Sequence, residues 1–343
     1  MARPHDLALG ELTDPTADHL LEVVDLSVEF RVRHGAVHAV NGVSYTLERG
    51  ETLAIVGESG SGKSVSVQAL MGLIDSPPGF VTGGRALYRG TDLLSLSDRE
   101  LQHVRGPGIA MVFQDALSAL NPVFSVGWQI AEMFRVHEGL TRSDARRRVI
   151  ELMDRVGIPS ARERVDDYPH QFSGGMRQRV MIAMAIALDP EVLIADEPTT
   201  ALDVTVQAQI MDLLDELQRE TGMGLILITH DLGVVADVAD RVAVMYAGRI
   251  VESGAVVDVY AAPAHPYTLG LMRSLPRLRH KGGRLEAISG APPSLLRIPP
   301  GCPFHPRCGY VRARCRDDDP PLYEVAGGRG SACHYHDEVL GDQ

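Results

Sequence analysis

The chain has 343 residues, 45% of them apolar, and a formal net charge of -12. That length holds one large domain and a smaller one, and that apolar share excludes a disordered chain. The acidic balance argues against a sequence-independent grip on nucleic-acid phosphates, and no run reaches the ~20 apolar residues that cross a bilayer.

Residues 1–19 (MARPHDLALGELTDPTADH) are polar and acidic, unlike a secretory signal, and read as a loose tail of a cytosolic protein. From Leu20, LLEVVDLSVEF has a strand-like pattern. VSYTLERG and ETLAIVG follow as two strands, the second nearly all apolar, as a strand buried on both faces should be. A Gly-rich loop then leads into an apolar helix through about Leu73. In LSDRELQHV a capping Ser precedes a helix, and MVFQD is a further buried strand. The stretch 117–187 is mainly helical, and its apolar run Val180–Leu188 predicts a short buried helix. EVLIAD and GLILITH are buried strands around an amphipathic helix, VQAQIMDLLDELQRE, and RVAVMYAGRIVESG closes the core with strands. Helices alternating with apolar strands predict an α/β fold with a mostly parallel sheet. Beyond Val257 the composition turns Pro-rich, which suggests a separate C-terminal module.

Gly57 to Ser64 read GESGSGKS and match the G-x-x-x-x-G-K-[ST] phosphate loop. Glycines let backbone N–H groups approach phosphates, the following helix presents its N-terminus to the same anion, Lys63 adds a positive charge, and Ser64 offers a hydroxyl to Mg²⁺. A Gly-rich turn that happens to carry a lysine is the bland alternative. The buried strand before the loop and the helix after it argue against that.

EVLIADEP places Asp196 at the end of a buried strand, suited to Mg²⁺, with Glu197 next to it, suited to polarising an attacking water. Alone, such a pair would be a solvated acidic turn. Ser173, Gly174 and Gly175 form a second Gly-rich start to a helix. One γ-phosphate does not need two such devices on one chain, so the second suggests a neighbouring molecule.

With these residues in place, the stretch 20–255 resembles the ABC ATPase family. FSGGM is similar to its LSGGQ signature loop, and Gln114 in MVFQD to its Q-loop glutamine. Asp203 in ALD resembles the D-loop aspartate and His230 in ITHD the switch histidine. Phe30, nine residues before Ala39, lies where the family puts an aromatic that stacks on adenine. The resemblance implies a P-loop NTPase (RecA-like) core with an antiparallel β edge and a helical subdomain at about 115–176. It implies ATP and Mg²⁺ at Gly57, Ser59, Gly60, Gly62, Lys63, Ser64 and Val65, with Gln114 and Asp196 also serving the ion. Two such domains would pack head to tail, the Ser173–Gly175 loop of one facing the phosphate loop of the other. Glu197 would be the general base and His230 would steady the γ-phosphate.

Met176 stands where the signature usually has Gln. FSGGMRQRVMIAMA resembles the D-type ATPase subunit of dipeptide and oligopeptide importers. That implies a non-identical ATPase partner, two membrane permeases, an extracytoplasmic solute-binding protein, and a place on the cytoplasmic face of the membrane. AHPYTLGLMRSLP (264–276) and ISGAPPSLLRIPPGCPFHPRC (288–308) resemble the C-terminal region of the same subfamily, so 256–343 is expected to form its module.

All four cysteines, Cys302, Cys308, Cys315 and Cys333, fall in that module, spaced C-x5-C-x6-C-x17-C. Four thiolates suit an iron–sulfur cluster or a structural zinc. The resemblance points to a 4Fe–4S cluster. His305, His334 and His336 keep Zn²⁺ open, and buried free thiols are the bland alternative. Other cargoes, such as a nickel chelate, fit the same resemblance. A nucleic-acid-linked ABC ATPase fits poorly: only 58 residues separate Gln114 from Ser173, too few for a long coiled-coil insertion.

Overall fold

Runs of apolar residues buried on both faces build the strands that carry the site. The computed structural model describes residues 13, 17–200, 202–274 and 288–342. In chain order its strands are β1 (Leu21–Val32), β2 (Gly35–Leu47), β3 (Thr52–Val56), β4 (Gly79–Tyr88), β5 (Thr91–Asp92), β6 (Ile109–Val112), β7 (Val192–Asp196), β8 (Gly224–Thr229), β9 (Arg241–Tyr246), β10 (Arg249–Ala255), β11 (Tyr323–Val325) and β12 (Arg329–Ser331). Every residue of β3, β6, β7 and β8 is buried. The tail expected over 1–19 lies almost wholly outside the described residues, as do Leu275 and Pro276 at the end of the 264–276 segment.

Two units make up the chain. The one that carries the phosphate loop spans Leu21–Leu47, Glu51–Ser95 and Ile228–Gln343. In it β3 runs parallel to β9, from Leu53↔Arg241 to Val56↔Val244. β9 pairs antiparallel with β10, β10 with β12, and β12 with β11. A separate antiparallel sheet has the order β2-β1-β4-β5. β4 (GFVTGGRALY) escapes a sequence reading because its glycines dilute the strand pattern. The helix after the phosphate loop spans Lys63–Leu70, slightly shorter than expected.

The break in composition at Val257 does not coincide with a break in packing. Tyr267 and Phe304 share a core cluster with Ala54 and Val56 of β3 and with Val242, Val244 and Tyr246 of β9. Glu252 on β10, 0% exposed, accepts the backbone N–H groups of Ala264 (2.6 Å) and His265 (3.0 Å) ahead of the helix Pro266–Arg273. Burial pushes its carboxyl up to about 7, against the pull of those hydrogen bonds. Arg329 on β12 donates to the carbonyls of Asp258 (3.1 Å) and Ala262 (2.6 Å). The Glu252 bonds tie the C-terminal segment to β10, and those of Arg329 join two parts of that segment to each other.

The other unit comprises Met1–Leu20, Glu48–Gly50 and Leu96–Leu227. It holds β6, β7 and β8 up to Leu227, in the order β8-β7-β6, with β6 and β7 parallel. Ser97 heads the helix Asp98–Val104 in a full capping box with Glu100. The stretch expected to be helical resolves into Ala116–Ala119, Val126–His137, Arg142–Arg155, Ala161–Arg164 and Gly174–Ile186. The helix Val204–Thr221 buries Ile210, Leu213, Leu214 and Leu217 on one face, at the expected helical spacing. Each contributes about 1.5–3 kcal/mol by leaving water.

Candidate active site

The phosphate loop leaves the end of β3 through two glycines that nothing else could replace. A Cβ on Gly57 would lie 2.2 Å from the Met245 carbonyl oxygen, and one on Gly62 would lie 2.1 Å from that of Ala39. Both have positive φ, +154° and +102°. Gly60 is also at positive φ, +76°, but its Cβ would meet open space. Lys63 curls back, its Nζ donating to the carbonyls of Gly57 (2.8 Å) and Glu58 (3.1 Å), and is only 5% exposed. The Ser61 hydroxyl is buried with no hydrogen-bond partner among the described residues. Such an orphan fits a loop shaped for an oxyanion ligand. Ser64 and Val65 follow in the first turn of the helix.

Phe30 is half-buried near the end of β1, paired with Val37 of β2. The β1–β2 hairpin also carries Ala39, the residue whose carbonyl approaches Gly62. The structure thus puts Phe30 on the hairpin that flanks the loop. His230 is exposed, directly after β8. The turn around it is held by Thr229, whose hydroxyl accepts the Asp231 N–H at 3.0 Å, and by Asp231, which caps the helix Leu232–Val238.

In the other unit, Asp196 ends β7 and is 3% exposed. Glu197 follows at φ +45°, a left-handed conformation that a non-glycine residue adopts at a cost of order 1–3 kcal/mol. Its Oε2 accepts from Gln114 Nε2 (2.9 Å) and from the Thr200 hydroxyl (2.8 Å). Two donors therefore fix the carboxylate. Sequence reasoning found Gln114 and Glu197 but passed over Thr200, whose only signal is its position three residues on.

Ser173 caps the helix Gly174–Ile186, accepting the Met176 N–H at 3.3 Å. A Cβ on Gly175 would lie 2.6 Å from Val206 Cγ1, so that glycine already has an internal reason to be small. A Cβ on Gly174 would make ordinary contact with Leu202. Asp203 caps the helix Val204–Thr221 through the Val206 N–H at 3.0 Å.

The four cysteines line one small cavity with His265, His305 and His334. The Tyr310 N–H donates to Cys308 Sγ at 3.3 Å, and backbone donors also reach Cys302 (from Phe304) and Cys333 (from Tyr335). Burial pushes the Cys308 thiol up to about 12, that of Cys333 to about 11, and that of Cys302 upward as well. Among the described residues, no group of three or more His, Cys, Asp or Glu is arranged to hold a single metal ion.

Two residues that sequence reasoning did not single out sit at the phosphate loop. Arg307 forms a forked ion pair with Glu58, and the Tyr267 hydroxyl accepts the Glu58 N–H. No local signal joins them, because Glu58 and Arg307 are 249 positions apart.

A strand–loop–helix phosphate cradle and a hydrogen-bonded carboxylate after a buried strand define a P-loop ATPase of the α/β class. The family described as ABC transporter matches residues 40–200, and the one described as Oligopeptide/dipeptide transporter, C-terminal region, matches residues 251–315. The oligopeptide transport ATP-binding protein OppD of Bacillus subtilis (strain 168) is 53% identical over 308 residues, 90% of this chain and 86% of that protein. The dipeptide transport ATP-binding protein DppD of the same organism is 54% identical over 291 residues, 85% of this chain and 87% of that protein. Among solved structures, the dimeric ATP-binding cassette MJ0796 in a post-hydrolysis state bound to ADP and Pi aligns with a TM-score of 0.62 at 26% identity, over 69% of this chain and 98% of that one. This chain belongs to the ABC transporter family and is an ATP-hydrolysing member of it. Among the described residues no helix is long and apolar enough to cross a membrane.

Proposed function

We propose that this chain hydrolyses ATP to energise the import of peptides, as a peripheral subunit on the cytoplasmic face of the membrane. The observation that carries the cargo is the match of 251–315 to the oligopeptide/dipeptide transporter C-terminal region. The names of OppD and DppD point the same way. Two permeases, a solute-binding protein and a second, non-identical ATPase complete the assembly in this reading. Residues 20–255 form the ATPase domain, with the helical subdomain at about 115–176, and 256–343 the importer-type module.

In this reading Gly57, Ser59, Gly60, Gly62, Lys63, Ser64 and Val65 cradle the phosphates, and Phe30 stacks on adenine. Ser64, Gln114 and Asp196 are suited to Mg²⁺, since hydroxyl, amide and carboxylate oxygens are its natural ligands. The ion neutralises charge on the phosphates when bound. Glu197 takes a proton from the attacking water, its carboxylate aimed by Gln114 and Thr200. His230 steadies the γ-phosphate. Ser173, Gly174, Gly175 and Asp203 serve the nucleotide of the facing ATPase, which explains a second phosphate-binding helix start on one chain. The isolated chain is therefore expected to hydrolyse ATP poorly and to gain activity when the partner ATPase and permeases are added. Phosphate release measured with and without them checks this. Full activity of a monomer, independent of concentration, would contradict it.

We also propose that Cys302, Cys308, Cys315 and Cys333 hold a 4Fe–4S cluster that staples the C-terminal segment, with Zn²⁺ as the competing occupant. Two features support it: four thiols on one cavity, and backbone N–H donors aimed at three of the sulfurs. Such donors stabilise thiolates and so oppose the burial that pushes up the Cys302, Cys308 and Cys333 thiols. Anaerobically purified protein should be brown, with about four irons per chain. Any single Cys→Ser change should bleach it. Stoichiometric zinc without iron would replace the cluster, and neither metal would leave four free thiols.

A further inference from the structure

Glu58 is the only acidic side chain in the loop GESGSGKS. A carboxylate there opposes a triphosphate. Its neutralisation comes from far along the chain. Arg307 Nη1 donates to Glu58 Oε2 at 2.6 Å and Nη2 donates to Oε1 at 2.9 Å. Nε donates to the Ser289 carbonyl at 3.1 Å, and the Arg307 side chain is 4% exposed. The guanidinium is therefore shielded and held in a two-pronged contact with the half-buried carboxylate, the geometry in which an Arg–carboxylate pair is strong and directional.

A second tether acts on the same residue, since the Glu58 N–H donates to the Tyr267 hydroxyl at 2.8 Å. Tyr267 packs against Tyr246 and Phe304 at ring-centroid distances of 4.6 and 5.4 Å. Arg307 directly precedes Cys308, and its own N–H donates to the Phe304 carbonyl at 3.0 Å. Phe304 also lines the cavity of the four cysteines.

We propose that Arg307 is a positioning residue of the ATP site: it cancels the Glu58 charge and holds the phosphate loop in its ligand-ready shape. The C-terminal segment is then part of the nucleotide site, and ATP affinity reports on that segment's integrity. The inference rests on ATP binding at the loop and does not depend on which metal the cysteines hold, or on the cargo.

The test is the affinity of the full-length chain for the magnesium complex of a non-hydrolysable ATP analogue, by calorimetry. Arg307→Gln should weaken it about tenfold, because a half-buried carboxylate loses its charged partner beside the phosphates. Glu58→Gln should tighten it, since the Arg307 charge is released toward the ligand. The double variant should fall between the two. In the assembled transporter, Arg307→Gln should raise KM for ATP with kcat nearly unchanged, the signature of lost ground-state binding. If both single variants weaken binding and the double is no better than Arg307→Gln, the pair is merely structural and the proposal fails. Should Arg307→Gln not fold, Glu58→Gln alone decides: tighter binding supports the proposal and weaker binding overturns it.

Discussion

Glu197→Gln is expected to leave ATP binding intact and to lower turnover by ~10²–10⁴, the usual cost of removing a general base. The substitution is nearly isosteric. A Gln oxygen at this position can still accept from Gln114 and Thr200, which now hold the Glu197 carboxylate at 2.9 and 2.8 Å. Geometry survives and only the basic oxygen is lost. The left-handed backbone at φ +45° should also survive, since the substitution changes only the end of the side chain. Phosphate release and nucleotide retention, measured on the assembled transporter, separate the two effects. Turnover near that of the parent would remove Glu197 from the role of base.

Gly62→Ala is expected to destroy nucleotide binding. Its Cβ would sit 2.1 Å from the Ala39 carbonyl oxygen and 3.3 Å from its carbon, and the residue is at φ +102°. Both neighbours are backbone, so the loop must move and not merely a side chain. Strain and overpacking together cost about 2–5 kcal/mol, which corresponds to a loss of roughly 30-fold to several thousandfold in affinity. Gly60→Ala supplies the contrast. It carries the positive φ without the clash, so its loss should stay near tenfold, about 1–2 kcal/mol. Calorimetry with both variants checks the ordering. Equal losses would mean that the clash at Gly62 is relieved cheaply and that only backbone conformation matters.

The phosphate loop, β3, β7 and β8 were legible in the sequence because their signals are local: consecutive apolar residues and a fixed motif. Gln114, Asp196, Glu197 and His230 stand out as candidates because each lies in or just after such a strand. The structure added reasons that spacing does not carry. Gly175 is small partly because Val206 packs over it, and Asp203 caps a helix whatever else it does. β4 was missed because its glycines dilute the pattern, and β11 and β12 because three residues each give no periodicity. The expectation of a separate C-terminal module came from a shift toward proline. That shift says nothing about Tyr267 and Phe304, which pack with β3 and β9. The Arg307–Glu58 fork was invisible for the same reason: contacts across 249 positions are set by the fold and leave no trace in neighbouring residues.

Uptake of a labelled short peptide into vesicles that contain this chain, its partner ATPase and the permeases, with the solute-binding protein and Mg²⁺-ATP each supplied on its proper side, tests the central claim most directly. The account predicts ATP-dependent accumulation that stops when Glu197→Gln replaces the parent chain, while ATP stays bound. ATP-dependent accumulation undiminished by that substitution, or hydrolysis in the full assembly with no peptide transported under any condition, would contradict it.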